Sequence, residues 1–269
     1  MKVVIFCGGL GVRMGEATQS IPKPMIRIGN RPILWEIMRY YASWGHNEFV
    51  LCLGYKGDVI REYFLNYNEA LFNDFVLEGH GAGARVELLQ RDIGNWRITF
   101  VDTGMQATIG ERLKAVEGYL NEDEEFFATY GDGLTDAPLD EMVDAFRASG
   151  RLVQFLCVRP EVNQHRVITD EEGIVTSVVP MNDSDVRING GFFVCRRELL
   201  DWIEPGDELV EETFARLIPR GEVGAFPYGG FFGPMDTIKD RQRLEALHES
   251  GKAPWRKVGL HADREPRPA

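Results

Sequence analysis

The residues best suited to chemistry lie near the start, in Gly8-Gly9-Leu10-Gly11-Val12-Arg13. Glycines let backbone N–H groups approach a ligand closely, and successive amides of this kind form an anion-binding concavity. Lys23 follows in Pro22-Lys23-Pro24-Met25, where prolines on both sides leave the backbone few conformations to lose, so its ammonium can be aimed. Lys2, Arg13, Lys23 and Arg27 stand against Glu16 alone in residues 1–30. A bare glycine turn explains the loop taken alone equally well, and a surface lysine explains Lys23 alone. Side by side, they point to a polyphosphate.

Two acids could complete such a site. Asp132, in Tyr130-Gly131-Asp132-Gly133, ends an expected strand and is a natural oxygen ligand for Mg²⁺. Asp236, in Pro234-Met235-Asp236-Thr237, precedes a helical pattern and carries two readings, a second metal ligand or a helix N-cap. Glu122-Asp123-Glu124-Glu125 reads as a solvated loop, because adjacent like charges repel. Two familiar phosphate loops do not fit. A P-loop needs Gly-Lys-Ser/Thr where Met14-Gly15-Glu16 stands, and a dinucleotide fingerprint needs a glycine at Met14 and an acid near Leu53-Gly54-Tyr55.

These groups must be held by regular elements. Apolar runs at Val3–Cys7, Phe49–Leu53, Arg97–Val101 and Phe126–Tyr130 read as strands. They alternate with helical patterns at Pro32–Trp44, Asp58–Tyr67, Ile109–Leu120 and Leu139–Ser149, the first placing Ile33, Ile37, Tyr40, Tyr41 and Trp44 on one stripe. That order implies an α/β fold, a Rossmann-like, mostly parallel mixed sheet with helices on both faces. Ligands of such sheets sit outside the carboxyl ends of the strands, which directs attention to the loops after Cys7, Leu53, Val101 and Tyr130. Further on, strands are expected at Val153–Val158, Ile174–Val179 and Gly191–Val194, and helices at Glu198–Ile203, Val210–Leu217 and Ile238–Glu249. This part reads as a smaller α+β extension.

Composition narrows the partners. Over 269 residues the formal net charge is −12, which opposes a general nucleic-acid binder. Hydrophobic residues make up 44% and charged residues 27%, an ordinary globular balance. The apolar opening run is too short for a membrane span or a secretory leader, so no membrane partner and a cytoplasmic location are expected. Cys7, Cys52, Cys157 and Cys195 lie far apart in apolar runs, as buried reduced thiols rather than a zinc site.

Taken in order, the motifs resemble the sugar-1-phosphate nucleotidyltransferases, whose pattern runs G-G-x-G-T-R-L followed by P-K-P, and most closely the cytidylyltransferase branch. Gly54-Tyr55-Lys56-Gly57, Glu62-Tyr63-Phe64, Val101-Asp102-Thr103-Gly104, Arg112-Leu113-Lys114, Ile188-Asn189-Gly190-Gly191-Phe192-Phe193 and Ser250-Gly251-Lys252-Ala253-Pro254-Trp255 carry the likeness. It covers roughly residues 1–257 and is weakest around 70–95 and 160–187.

The resemblance implies condensation of a nucleoside triphosphate, expected to be CTP, with a sugar 1-phosphate, expected to be glucose 1-phosphate or a variant. The products are a nucleotide sugar and pyrophosphate. It implies that Gly8, Gly9, Leu10, Gly11 and Val12 cradle the triphosphate, that Arg13 holds the departing pyrophosphate, and that Lys23 neutralises charge near the α-phosphate. Thr108, Gly110, Arg112 and Gly131 join the nucleotide site, and Tyr130, Arg166, Arg187, Asn189 and Gly190 the acceptor site. Asp132 and Asp236 hold Mg²⁺, with Arg13, Lys23 and Asp132 the catalytic set. One domain is expected over 1–260, a nucleotide-binding half at 1–150 and a sugar-binding half with the C-terminal helices at 151–260, then a disordered tail at 261–269. A homo-oligomer is expected as well.

The chain departs from the family pattern in places. Val12 and Met14 replace threonine and leucine. Where the family has a Glu-Lys-Pro motif whose lysine holds the sugar phosphate, this chain reads Val178-Val179-Pro180-Met181. Gln164-His165-Arg166-Val167 puts arginine in place of a glycine, and Arg187 stands where tryptophan is usual. Two readings follow: Arg166 or Arg187 replaces the lysine and the acceptor or nucleotide is a different phosphorylated compound, or the chain is a catalytically weak nucleotide-binding regulatory homologue.

Overall fold

The computed structural model describes residues 1–9, 11, 20–120, 123–160, 164–181 and 184–256. The opening strand Val3–Phe6 is buried along its whole length because helices cover both faces of its sheet. Val3 and Ile5 pack with the helices Ile33–Ser43 and Leu139–Ser149 on one face, while Val4 and Phe6 meet Leu113, Leu199, Leu200, Leu209 and Phe214 on the other. Each fully buried aliphatic side chain of this kind contributes about 1.5–3 kcal/mol, so the strand is fixed in place from both sides.

Val3–Phe6 pairs in parallel with Glu48–Leu53, which pairs in parallel with Arg97–Asp102. On its other edge it pairs in parallel with Glu125–Tyr130. The chain thus adds its second and third strands to one side of the first and its fourth to the opposite side. Beyond the fourth, Phe193–Arg196 runs antiparallel, followed by Val153–Val158 and an edge strand, Val223–Tyr228, parallel to it. The α/β expectation of a mostly parallel mixed sheet with helices on both faces is met.

Several boundaries differ from those read in the sequence. The third helix covers Ile109–Ala115 and tightens into a 3₁₀ turn at Glu117–Tyr119, where Gly118 weakens the α-helix. Arg197–Trp202 is 3₁₀ rather than α, and Leu209–Thr213 is a wider π turn leading into Phe214–Leu217. The strand expected at Gly191–Val194 starts at Phe193, because Gly191 (φ +73°) and Phe192 (φ +50°) leave the extended region. Val223–Tyr228 carries no strand signature in the sequence because Gly224 and Pro227 interrupt it, and Pro227 is tolerated there on an edge strand. The hairpin Phe75–Glu78 with Arg85–Leu88 likewise has no signature in the sequence, since its side chains are mostly exposed and show no burial pattern. The proposed solvated acidic loop is partly tied down: Asp123 pairs with Lys2 at 3.1 Å, and Glu125 opens a strand and binds Arg147 at 2.8 Å. Glu122 and the expected tail at 261–269 lie outside the described residues.

Candidate active site

The strand order reverses between Val3–Phe6 and Glu125–Tyr130, and a crevice opens at their carboxyl ends, as it does where an open α/β sheet switches direction. A cavity of about 470 Å³ occupies it, lined by Phe6, Gly8, Gly9 and Gly11 from the first loop and by Tyr130, Gly131 and Asp132 from the fourth. Lys23 and Pro24 close one side, and Met105, Gln106, Ala107, Ile109, Arg112 and Glu208 line the rest.

Lys23 is aimed as its flanking prolines suggest. Lys23–Met25 forms a 3₁₀ turn in which Met25 N–H donates to the Pro22 carbonyl at 2.8 Å. The residue is only 8% exposed, and its Nζ donates to Asp236 Oδ1 at 2.7 Å and to Asp132 Oδ2. Burial alone would lower its pKa, but the two carboxylates outweigh that and raise it, so the ammonium stays charged.

The two acids meet through a small antiparallel ladder, Gly133–Thr135 against Phe232–Pro234. Met235 N–H donates to the Asp132 carbonyl at 2.8 Å, so the residues on either side of the ladder's end face one Nζ. The N-cap reading of Asp236 is wrong. Thr237 caps helix Ile238–Glu249 in a capping box with Asp240, which leaves the Asp236 side chain for Lys23.

Arg112 is 3% exposed, and its guanidinium donates to Thr103 Oγ1 at 2.7 Å and to the carbonyls of Leu53 at 3.2 Å, Gly8 at 3.3 Å and Met105 at 3.3 Å. It therefore joins three loops at the sheet's carboxyl edge. Gly8 is glycine for that reason: an added Cβ would lie 2.0 Å from Arg112 Nη1. Gly9 has open space where a Cβ would go. Gly131 comes so close to the Phe6 carbonyl that a Cβ would sit 2.9 Å away.

Other expected site residues are placed differently. Thr108 and Gly110 do not line the cavity. Thr108 caps its helix and donates its hydroxyl to the Asp207 carbonyl at 2.5 Å, and a Cβ on Gly110 would fall 2.4 Å from that same oxygen. Tyr130 lines the cleft, its hydroxyl pushed up to about 12 by burial and then by Glu211, Asp132 and Glu208. Asn189 and Gly190 do not line the cavity: Asn189 Oδ1 accepts from Gly191 N–H at 2.8 Å, and Gly190 packs on the Leu156 carbonyl. Arg166 and Arg187 do not line the cavity. Leu10, Val12 and Arg13 lie outside the described residues.

Met105, Gln106 and Ala107 carry no signal of their own in the sequence, although the carboxyl-end rule points to the loop after Val101, and Ile109 lines the cavity where its neighbours Thr108 and Gly110 do not. Glu208 had no local signal. It arrives from a remote turn and accepts from Ile109 N–H at 3.2 Å.

The donor set suits a divalent cation. Asp132 and Asp236 offer hard carboxylate oxygens, partly exposed at 30% and 33% of their side chains, converging on one cationic position. Among the described residues no group of three metal-binding side chains gathers. Two carboxylates with the remaining positions left to phosphates and water is the usual Mg²⁺ arrangement.

Over 258 residues the chain is 40% identical to the glucose-1-phosphate cytidylyltransferase of Salmonella typhi, covering 95% of this chain and 99% of that protein. The chain belongs to the glucose-1-phosphate cytidylyltransferase family. The member from Salmonella typhimurium strain LT2 matches equally well, at 40% identity over 258 residues, 95% of this chain and 99% of that one. A UDP-glucose pyrophosphorylase structure from Acinetobacter baumanii shares the fold at a TM-score of 0.67 and 17% identity, covering 98% of this chain and 97% of its own. No family model matches the chain.

Proposed function

We propose that this chain condenses CTP with glucose 1-phosphate to give CDP-glucose and pyrophosphate. The observation that carries the reading is Lys23 held between Asp132 and Asp236 at the mouth of a glycine-lined crevice. Both reactants are anions, so the enzyme's task is to offset their charge and align them for in-line attack on the α-phosphorus. Gly9 and Gly11 present the backbone to the triphosphate, and Lys23 neutralises the α-phosphate as negative charge builds there. Arg13 takes the departing pyrophosphate. Asp132 and Asp236 would hold Mg²⁺, which supplies further charge neutralisation. No general base is required, because a phosphate monoester is largely ionised at neutral pH. Pyrophosphate release measured across CTP, UTP, GTP, ATP and dTTP with a panel of sugar 1-phosphates tests the reading. The fastest release is expected with CTP and glucose 1-phosphate, and no release with any pair would end it.

Arg166 takes the place of the family lysine. In the hairpin His165–Thr169 with Val175–Pro180 it lies directly opposite Val179, and opposed residues of an antiparallel ladder share a face. That register sets a cation opposite the position where the family lysine would stand. Its ion pair with Asp185, whose side chain is 83% exposed, is of a kind worth at most about 1 kcal/mol and is readily exchanged for a phosphate. Arg166→Ala is expected to raise KM for the sugar 1-phosphate about tenfold while leaving kcat nearly unchanged. Unaltered saturation would remove Arg166 from the acceptor site and leave Arg187.

The protein works as a homo-oligomer in the cytoplasm. The hairpin Phe75–Glu78 with Arg85–Leu88 leaves Val76, Leu77 and Val86 exposed at 44%, 56% and 49%, apolar surface suited to a second copy. Leu77→Glu is expected to reduce the mass measured by light scattering. The four cysteines are unpaired, as in a reducing compartment, and no described helix is long and apolar enough to cross a membrane.

A further inference from the structure

A second polar cavity lies away from the crevice, against the helix Ile33–Ser43, with a volume of about 530 Å³. Its walls carry Arg31, Arg39, Arg91 and Arg256, and Asp92 is the one acid among the described lining residues. In a chain with a net charge of −12, four guanidinium groups around one hollow are conspicuous.

Two of the four are already engaged. Arg31 pairs with Asp92 and stacks over Trp35 and Phe72, with 4.2 Å and 4.3 Å from Cζ to the ring centroids. Even so, its Nη1 is buried without a hydrogen-bond partner. Arg256 is held by Glu36, a buried acid behind the wall. Arg39 and Arg91 make no hydrogen bond or ion pair among the described residues. Arg39 is also half-buried beside two like charges: burial, then Arg256 and Arg31, lower its pKa against the pull of Glu36. Asn47 and Asn95 add neutral donors to the same hollow.

A partly desolvated guanidinium facing other guanidinium groups is unfavourable unless an anion compensates it. We propose that this cavity is a second binding site for a small phosphate-bearing anion, either inorganic pyrophosphate or a phosphate ester, held chiefly by Arg39 and Arg91. Arginine forks match phosphate oxygens two at a time, and the hollow is large enough for either ligand. The site stands apart from the crevice and does not depend on the reaction assigned there.

Equilibrium dialysis with labelled pyrophosphate, alongside separate arms with inorganic phosphate and glucose 1-phosphate, counts the sites and distinguishes the sources. The full chain is expected to bind one more equivalent of at least one ligand than the double variant R39Q/R91Q. That class of site should weaken about tenfold or more. Because Trp35 and Trp96 line the cavity, filling it should also change tryptophan fluorescence, and the variant should lose that change. Turnover of the variant should match the parent, since neither arginine touches the crevice. If R39Q/R91Q does not fold, R91Q alone removes an exposed side chain and should show the same weakening in smaller degree. Equal stoichiometry and affinity in parent and variant would overturn the proposal. Loss of activity with pyrophosphate stoichiometry unchanged would do so too.

Discussion

Lys23→Ala is expected to lower turnover by two to three orders of magnitude, about 3 kcal/mol in the barrier, the usual effect of deleting a preorganised donor aimed at developing negative charge. The effect should be large because the ammonium is prepared before substrate arrives. Its backbone is fixed by prolines on both sides, its side chain is buried, and its proton is held by two carboxylates. Removing it also leaves Asp132 and Asp236 facing each other without a cation, so metal requirement is a useful second readout. Single-turnover pyrophosphate release, with a melting curve to establish folding, provides the measurement. A folded Lys23→Ala protein with the parent's rate would remove the lysine from catalysis.

Arg112→Ala should damage stability more than any other change near the crevice. Its guanidinium serves four acceptors from three loops, and each buried acceptor deprived of its donor costs about 1–3 kcal/mol. A total loss of about 4 kcal/mol or more is expected, read as a lower midpoint in urea denaturation. Arg112→Lys should recover only part of it, because a single ammonium cannot span the Leu53, Gly8 and Met105 carbonyls. Arg112 therefore ties the glycine loop to the loops after Leu53 and Asp102. A normal urea midpoint combined with lost nucleotide affinity would show instead that the side chain acts on the ligand.

The Arg112 network shows where sequence reading succeeds and where it fails. The glycine loop was visible because glycines cluster after an apolar strand, but the reasons differ by position: Gly8 makes room for a guanidinium from another loop, whereas Gly9 faces open space. The parallel sheet was legible because alternating strands and helices are a local pattern. Lys23 was legible because prolines act on the neighbouring backbone. What stayed hidden depends on contacts between distant segments. Gly110 looked like a ligand turn, yet its missing Cβ accommodates the Asp207 carbonyl, which no nearby residue announces. Asp236 carried two readings, metal ligand or N-cap, and only Thr237 with Asp240 shows that the cap position is taken. That Arg166 lies opposite Val179 depends on a cross-strand register that neither segment shows by itself.

The small ladder between Gly133–Thr135 and Phe232–Pro234 also governs when this protein can begin to work. A chain emerging from the ribosome presents the glycine loop, Lys23 and Asp132 long before Asp236 has been synthesised. Until the late strand docks, the lysine has one counter-ion and the second carboxylate is absent. The end of the described chain is then stitched to its beginning, since Trp255 Nε1 donates to Glu36 at 3.2 Å and Arg256 grips the same carboxylate. Competence should therefore appear abruptly once the segment through Arg256 has been synthesised, and a chain cut before Asp236 would meet cellular nucleotides without consuming them.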